Sequence, residues 1–352
     1  MLLTVEAIRN DYFECMDSIL ATIAHYMNKP YSLMFTGCMG FEYSPIKKGA
    51  TSLGEKLSEG ACHSPKYSLE KYHGIKVSRH DADSHKYLHC LIEKMLNSEM
   101  PVCVCVDRFY CPWDYAYNKF HISHYYLIIG IDETKKEYIC LDPNSSLKKY
   151  PLPWECLEKG CREYFTFENK VSSNANFSLS DILHSNYFSH ECSEIIEKRY
   201  NDILKFARDL VTYIDFDREL SPWVDNLQDT FLFRCLRNIG QNRLKFSDAL
   251  YSLSNAFDNK NIFCMAKQAK DLYALWDNVS TLIFKYHFIR DETSKSVIFD
   301  SLVSIAESEK KLQISLANEA EICKGFELQF ETLQTKCSYD SSKSLDFSVQ
   351  FA

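Results

Sequence analysis

The amino-acid sequence predicts an α+β domain followed by an all-α domain. Up to about residue 170, short β-branched and aromatic runs alternate with helical segments, and Gly and Pro separate them. Further along, apolar residues recur at helical spacing, and the stretch between the two patterns is rich in Ser, Asn and His. We therefore expect an N-terminal domain at 1–170, a linker at 171–193, a helical domain at 194–337 and a flexible tail at 338–352.

The first predicted element is a helix that begins at Cys15. Apolar residues form one stripe from there to about Asn28, and Pro30, which cannot continue a helix, stops it. The stripe consists of Ile19, Leu20, Ile23, Ala24 and Met27. Cys15 is thus expected at the N-terminus of a half-buried helix.

Three later runs are β-branched and aromatic and predict strands. They are PVCVCVD (101–107), HYYLIIGID (124–132) and EYICLD (137–142), and a turn-like DETKK separates the last two. Because the runs follow one another closely, we expect them to be neighbouring strands of one sheet.

The C-terminal part predicts four long amphipathic helices, which suggests a bundle. The first spans Ile195 to Ile214 and is closed by Ser221-Pro222, and the second begins at Leu227. The third carries Ile262 to Ile283, and the fourth runs from about Thr293 to Gln334.

Composition excludes several function classes. The chain has 352 residues, of which 46% are hydrophobic and 14% aromatic, enough for a core in each of two domains. A formal charge of -8 gives no basic surface for phosphates and argues against nucleic acid as a partner. The sequence contains no Gly-rich phosphate loop, which argues against a nucleotide-dependent ligase.

The cysteines and the hydropathy pattern predict a cytoplasmic protein. The 15 cysteines are odd in number and irregularly spaced, which favours reduced thiols over disulfides. The N-terminus lacks the pattern of a signal peptide, and no apolar stretch reaches the roughly 18 residues of a membrane span. We therefore expect no membrane association.

Three residues have the types and order that thiol chemistry requires. At a helix N-terminus, free backbone N–H groups favour a thiolate, and Cys15 is placed there. A histidine that starts a strand, His124, and a carboxylate after the next strand, Asp142, supply a base and a group that orients it. The order Cys, His, carboxylate is that of papain-type hydrolases.

Two stretches carry a resemblance to a known family. DYFECMDSILATIAHYMNKP (11–30), followed by LMFTGCMGF (33–41), resembles the start of the family named after the butirosin biosynthesis acyltransferase. The stretch 101–144, in which an aromatic-rich loop leads to His124 and an Asp-Pro follows a strand, resembles its second half. The resemblance covers about residues 8–168, and the helical C-terminal part matches the family only in being long and helical.

The resemblance implies a papain-like cysteine-protease fold for the N-terminal domain and an acyltransferase activity. It assigns Cys15 as nucleophile, His124 as base and Asp142 as orienting acid, with an acyl or peptidyl carrier protein as donor. The donor's phosphopantetheine arm is then the only cofactor-like group, and the acceptor is a small-molecule amine. The sequence is also similar to papain-like amide synthetases that acylate both ends of a diamine.

Two other functions stay open at the level of sequence. A cysteine peptidase or thioesterase would use the same residues with water as acceptor. A binding or scaffolding protein would keep the residues without using them.

Each site residue also has an alternative interpretation. Cys15 is otherwise a buried small hydrophobic residue, and Asp142 is otherwise a turn cap before Pro143. His121 is the rival of His124 as the base. Asp132 is the alternative acid.

The oxyanion hole and the substrate wall are less defined. Papain-like enzymes usually have a Gln five or six positions before the nucleophile, where this chain has Asn10 and Arg9, so Asn10 is the candidate donor beside the Cys15 backbone N–H. The aromatic loop before His124 forms either a small core or the wall of an acyl channel, and its candidate substrate contacts are Tyr110, Trp113, Tyr117 and His121.

One set of residues resembles metal ligands. Cys103, Cys105 and Cys111 lie close in sequence to His121. Their spacing fits no zinc signature, so we expect buried thiols and no metal site.

Overall fold

The computed structural model describes residues 1–45, 52–61, 63–82, 85–144, 148–170, 176–186, 192–220 and 226–337. Within these ranges the helices are α1 (Cys15–Tyr26), α2 (Leu53–Lys56), α3 (Pro65–His73), α4 (His85–Asn97), α5 (Trp154–Gly160), α6 (Leu179–Leu183), α7 (Cys192–Tyr213), α8 (Phe216–Glu219), α9 (Phe231–Phe257), α10 (Lys260–Ile289), α11 (Glu292–Ile322) and α12 (Phe330–Lys336). The strands are β1 (Glu42–Tyr43), β2 (Leu57–Ser58), β3 (Ile75–Asp81), β4 (Val102–Asp107), β5 (Ser123–Asp132), β6 (Glu137–Leu141), β7 (Lys149–Pro153), β8 (Cys161–Asn169), β9 (Asn176–Ser178) and β10 (Glu327–Gln329).

The described chain divides into two compact units. The first contains residues 1–31 and the stretch from Leu69 to the end of β8, and the second contains residues 32–68 together with the chain from β9 to Cys337. The sequence placed 32–68 in the N-terminal domain, whereas the structure groups this segment with the helices. The α+β class of the first unit and the helical character of the second are as predicted.

A six-stranded antiparallel sheet is the centre of the first unit. Its strand order is β3-β8-β4-β5-β6-β7. The three strands predicted from the sequence are confirmed as neighbours, because β5 pairs with β4 on one side and with β6 on the other. Every residue of β4 is buried, which explains its unbroken apolar run.

The helix α1 packs against β5 and begins at Cys15, as predicted. Its apolar stripe is buried, including Ile19, Leu20, Ile23 and Ala24. The helix ends at Tyr26, ahead of Asn28, which has a positive φ of 54°. Burial of this stripe is what fixes the helix on the sheet and so fixes the position of Cys15.

The second unit is built around α7, α9, α10 and α11, which share one apolar core. At its centre is a charged pair that is almost completely buried. Arg243 donates from Nε and Nη2 to the carboxylate of Glu309 at 2.9 and 2.8 Å, and the indole of Trp276 donates to the same carboxylate at 2.7 Å. The hydrogen bonds from Arg243 and Trp276 satisfy the buried carboxylate, whose charge would otherwise be costly to bury.

The segment 32–68 is part of that core. Arg243 also donates from Nη1 to the carbonyl oxygen of Gly40 at 2.8 Å, and the ring of Phe41 stacks on Trp276 at a centroid distance of 5.5 Å. Both interactions occur inside the second unit, so the segment contributes to the stability of the helices.

A second contact fixes α2 in the same unit. The backbone N–H groups of Leu53 and Gly54 donate to the buried carboxylate of Glu219 at 2.6 and 3.2 Å. Gly54 is required by close packing, because a Cβ at this position would lie 2.2 Å from the backbone nitrogen of Leu232 on α9.

Three details differ from the sequence expectations or lie outside the described residues. Part of the expected linker forms β9 and α6. The prediction of one helix from Thr293 to Gln334 is wrong, because α11 ends at Ile322 and Gly325, with a φ of 91°, allows the chain to turn into β10. Ser221-Pro222 and the tail 338–352 lie outside the described residues. Among those that are described, every helix is too short or too polar to cross a bilayer.

Candidate active site

Cys15 occupies the first turn of α1, where it is half-buried. The residue before it, Glu14, is the N-cap, and its backbone N–H donates to the carboxylate of Asp17 at 3.1 Å. Asp17 itself is 4% exposed. The Asp17 carboxylate is therefore engaged in capping the helix, and the partial positive charge of the helix N-terminus favours a thiolate at Cys15.

His124 lies near the start of β5, where it opposes Val106 of β4. Its Nε2 atom hydrogen-bonds with Oδ2 of Asp142 at 3.1 Å, and the two residues are 7% and 2% exposed. This pairing leaves Nδ1 as the ring nitrogen free to meet a thiol. The imidazole is thus oriented by a carboxylate that directly follows the neighbouring strand β6, an arrangement suited to a base.

Asp142 follows β6 and is held by the turn that it begins. Its Oδ1 accepts a hydrogen bond from the backbone N–H of Asn144 at 3.1 Å. The side chain of Asn144 in turn accepts from the buried hydroxyl of Ser18 on α1 at 3.4 Å. The carboxylate is therefore fixed both by its own turn and by a link to the helix that carries Cys15.

The protonation state of His124 follows from competing effects. Burial acts to lower the pKa of His124, but hydrogen bonds with Asp142 and Cys15 and the negative charges of both side chains outweigh it and raise the pKa to about 9. An imidazole with this pKa carries a proton at neutral pH. That is the state that pairs with a thiolate.

The rival residues lie elsewhere. His121 is largely exposed, and its Nδ1 atom hydrogen-bonds with Asp107 at 2.7 Å while its ring stacks on Phe109. Asp132 is at the opposite end of β5 from His124, eight residues away, which is about 27 Å at ~3.4 Å per residue. The structure therefore brings His124, and neither rival, together with Asp142 and Cys15.

The aromatic loop reaches the site through one residue that the sequence analysis did not identify. Tyr126 is buried and packs edge-on against the ring of His124 at 4.8 Å. Trp113 packs on Tyr126 at a centroid distance of 5.5 Å and stacks on Tyr150 at a centroid distance of 5.0 Å. Tyr126 was recognisable in principle, because residues two apart on a strand share a face.

The other candidate substrate contacts are less centrally placed. Tyr110 is half-buried and packs on Phe109, and Tyr117 is exposed. Asn10 is half-buried in the turn before α1, and its carbonyl oxygen accepts from the N–H of Phe13 at 3.0 Å. The role expected of Asn10 as an oxyanion donor would use its side-chain amide, which this backbone hydrogen bond does not involve.

Other thiols of the first unit are in a different environment from Cys15. Cys103, Cys105 and Cys111 are buried. Burial raises the pKa of Cys111 and of Cys161 to about 12, so that these thiols stay protonated at neutral pH. A protonated thiol is a poor nucleophile and a poor metal ligand.

A cysteine at a helix N-terminus, a histidine on β5 and an aspartate directly after the neighbouring strand β6 define a candidate site for thiol-based chemistry. Residues 14–143 match the model of the family described as "Butirosin biosynthesis protein H, N-terminal", which confirms the resemblance predicted for this part of the chain. The matched segment begins one residue before Cys15 and ends one residue after Asp142. No curated protein matches the chain.

Proposed function

We propose that the chain is a cysteine-dependent acyltransferase that forms an amide from a thioester and an amine. The observation that carries the proposal is the hydrogen bond between His124 and Asp142 at 3.1 Å, with the Cys15 thiol near enough to the same imidazole to help raise its pKa. The matched family is named after a butirosin biosynthesis protein, which supports a role in natural-product biosynthesis. We further propose a papain-like arrangement for the first unit, since it combines a nucleophile helix with an antiparallel sheet.

The first step is attack of the Cys15 thiolate on the carbonyl carbon of a thioester. A new C–S bond forms to Cys15 as the C–S bond of the donor breaks, and the leaving thiolate takes the proton from His124. The donor is an acyl or peptidyl carrier protein, and the leaving thiol is that of its phosphopantetheine arm. The backbone N–H of Cys15 and the side chain of Asn10 are the proposed donors to the oxyanion.

The second step transfers the acyl group to an amine. His124, now neutral, accepts a proton from the amine nitrogen as that nitrogen attacks, and the Cys15 thiolate leaves. The product is an amide and the site returns to its starting state. Aminolysis of a thioester runs downhill, so the reaction requires no nucleotide.

The amine has to compete with water for the acyl-enzyme. The aromatic side chains beside His124 favour the amine because they exclude water from the site. Tyr126 packs against the imidazole, and Trp113 packs against the ring of Tyr126, so that two aromatic side chains cover this side of the site. Removing water from the site slows hydrolysis of the acyl-enzyme. We propose a small amine, or a diamine acylated at both ends, as the acceptor.

The test is intact-mass measurement of the protein after mixing with an acyl-pantetheine thioester. We expect a mass increase equal to one acyl group on the wild type and none on Cys15→Ala. Cys90→Ala is the matched control, because Cys90 is an exposed cysteine on α4. It should acylate like the wild type.

Adding a diamine to the acylated protein then distinguishes the acceptors. Release of the acyl group as amide supports the transferase, whereas release as free acid, at the same rate with and without amine, identifies a hydrolase. Acylation of Cys15→Ala to the wild-type extent would rule out the mechanism.

A further inference from the structure

A second cluster of chemically able side chains lies at the far end of β5 from Cys15. His89 and Glu93 are four residues apart on α4 and so project from the same face of the helix. Glu133 belongs to the turn between β5 and β6. One ligand atom from each of these three residues lies within 4.8 Å of the other two.

The imidazole of His89 is held in the orientation that a metal ligand needs. Its Nδ1 atom hydrogen-bonds with the hydroxyl of Tyr138 at 2.7 Å, and its ring packs against Trp154 at 4.4 Å. This leaves Nε2 directed at Glu93, whose Oε1 atom is 3.6 Å away. Metal-bound histidines almost always have their second ring nitrogen fixed by such a partner.

The charges also favour a cation. Glu93 and Glu133 bring two carboxylates to one point, and in the part of the chain that the structure describes neither forms an ion pair with a lysine or arginine. Zn–N and Zn–O bonds of about 2.1 Å place tetrahedral ligand atoms about 3.4 Å apart. The 3.6 Å separation of the first two ligand atoms is close to this value, and a small movement of the exposed Glu133 side chain completes the set.

We propose that His89, Glu93 and Glu133 form a divalent-cation site that takes Zn²⁺ or Mn²⁺. One nitrogen and two carboxylate oxygens suit these ions, and the partial exposure of the ligands leaves room for water in the remaining positions. The bound ion ties α4 to the β5–β6 turn. Glu133 is nine residues from His124, about 30 Å along an extended strand, so the ion takes no part in acyl transfer.

The test uses the full chain without a polyhistidine tag, stripped of metal by a chelator. Mn²⁺ is the first probe, because it binds oxygen and nitrogen ligands and avoids the many thiols. Loss of the free-Mn²⁺ electron paramagnetic resonance signal should report one bound ion per chain. We expect Glu133→Gln and His89→Gln to weaken binding at least about tenfold.

The matched control is His25→Gln. His25 pairs with Glu6 at 3.4 Å on the surface of the same unit but is not in the three-residue cluster, so this variant should bind Mn²⁺ like the wild type. A thermal-shift measurement gives a second readout with both ions. Wild type should melt higher with Mn²⁺ or Zn²⁺, and Glu133→Gln, which replaces an exposed turn residue, should melt as the metal-free wild type does.

Dependence of binding or of thermal shift on Glu133 for either ion supports the site. If neither ion distinguishes wild type from Glu133→Gln, the proposal is overturned. Acylation of Cys15 should be the same in both proteins, which separates this outcome from failure of the proposed acyltransferase.

Discussion

His124 is the residue on which the candidate chemistry depends, because burial and its partners act on it in opposite directions. Burial alone would leave a neutral imidazole. The partners prevail, and the pKa rises to about 9 because hydrogen bonds and charge from Asp142 and Cys15 outweigh burial. Removing the Asp142 carboxylate should therefore lower the pKa of His124.

Asp142→Asn should lower the pKa of His124 well below its raised value, because the loss of the carboxylate leaves burial as the larger effect. The same change should slow acyl transfer by roughly 10²–10⁴-fold, the usual value of an oriented acid–base group. Titration of the His124 ring by NMR and rates of amide formation measure the two effects.

The control for this variant is Asp132→Asn. Asp132 is an aspartate at the end of β5, as Asp142 is one directly after β6, but Asp132 is half-exposed and pairs with Lys135 at 3.7 Å. It should leave both the titration and the rate unchanged. An equal loss of rate in the two variants would contradict the assigned role of Asp142.

The raised pKa of His124 also predicts a pH dependence of stability. The folded pKa of about 9 exceeds the unfolded value of about 6.5, so the folded state binds the proton more tightly. The resulting stabilisation, on the order of 3 kcal/mol, is fully present below about pH 6.5 and is lost as the pH rises through about 9.

Urea unfolding of the wild type and of Asp142→Asn across this window measures the effect. The stability advantage of the wild type should be largest at the acidic end and should shrink toward pH 9 and above. A difference that stays constant or grows with pH would contradict the assignment.

At the scale of elements, the approach of α2 to α9 illustrates how one backbone contact determines a residue type. A Cβ at Gly54 would lie 2.2 Å from the backbone nitrogen of Leu232, so neither side chain rotation nor a small shift can relieve the overlap. Glu219 holds the same turn by its two hydrogen bonds.

Gly54→Ala should therefore lower the melting temperature, and a cost of about 1–3 kcal/mol is usual for such overpacking. Gly240→Ala is the matched control within α9. A Cβ there meets Trp276 at an ordinary distance of 3.4 Å, and alanine favours a helix by up to about 1 kcal/mol over glycine. Scanning calorimetry should show a fall for the first variant only, and equal melting temperatures would contradict the packing argument.

At the scale of the molecule, the second unit is discontinuous in sequence. Residues 32–68 provide the Gly40 carbonyl oxygen to Arg243, the Phe41 ring to Trp276 and the α2 backbone to Glu219. A fragment that begins at residue 174 loses all three while it keeps the long helices.

We expect the fragment 174–337 to be less stable than the same unit in the full chain, with a lower melting temperature and binding of an apolar dye to its exposed core. Circular dichroism and dye fluorescence measure these properties. Addition of a peptide spanning 32–68 should raise the melting temperature. A fragment that melts like the full chain would show that the segment is dispensable.

Much of the fold could be predicted because the signals are local. The α1 stripe, the strands β4 to β6 and the presence of long amphipathic helices in the C-terminal part follow from periodicity and from Pro and Gly positions, although the end of the fourth helix does not. The turn at Gly325 could not be predicted, since it depends on a single backbone angle. The allocation of 32–68 to the second unit could not be predicted either, since it depends on contacts with residues more than a hundred positions away.

The sequence by itself determined the two classes of secondary structure, the family resemblance of residues 14–143, and the choice of Cys15, His124 and Asp142 as candidates, because these depend on residue type, spacing and order. Tertiary structure decided which histidine meets which carboxylate, since strand register sets Nε2 of His124 against Asp142 and leaves His121 with Asp107. It also decided the direction in which the pKa of His124 moves. Burial, hydrogen bonding and charge act through space, and no local pattern encodes their sum.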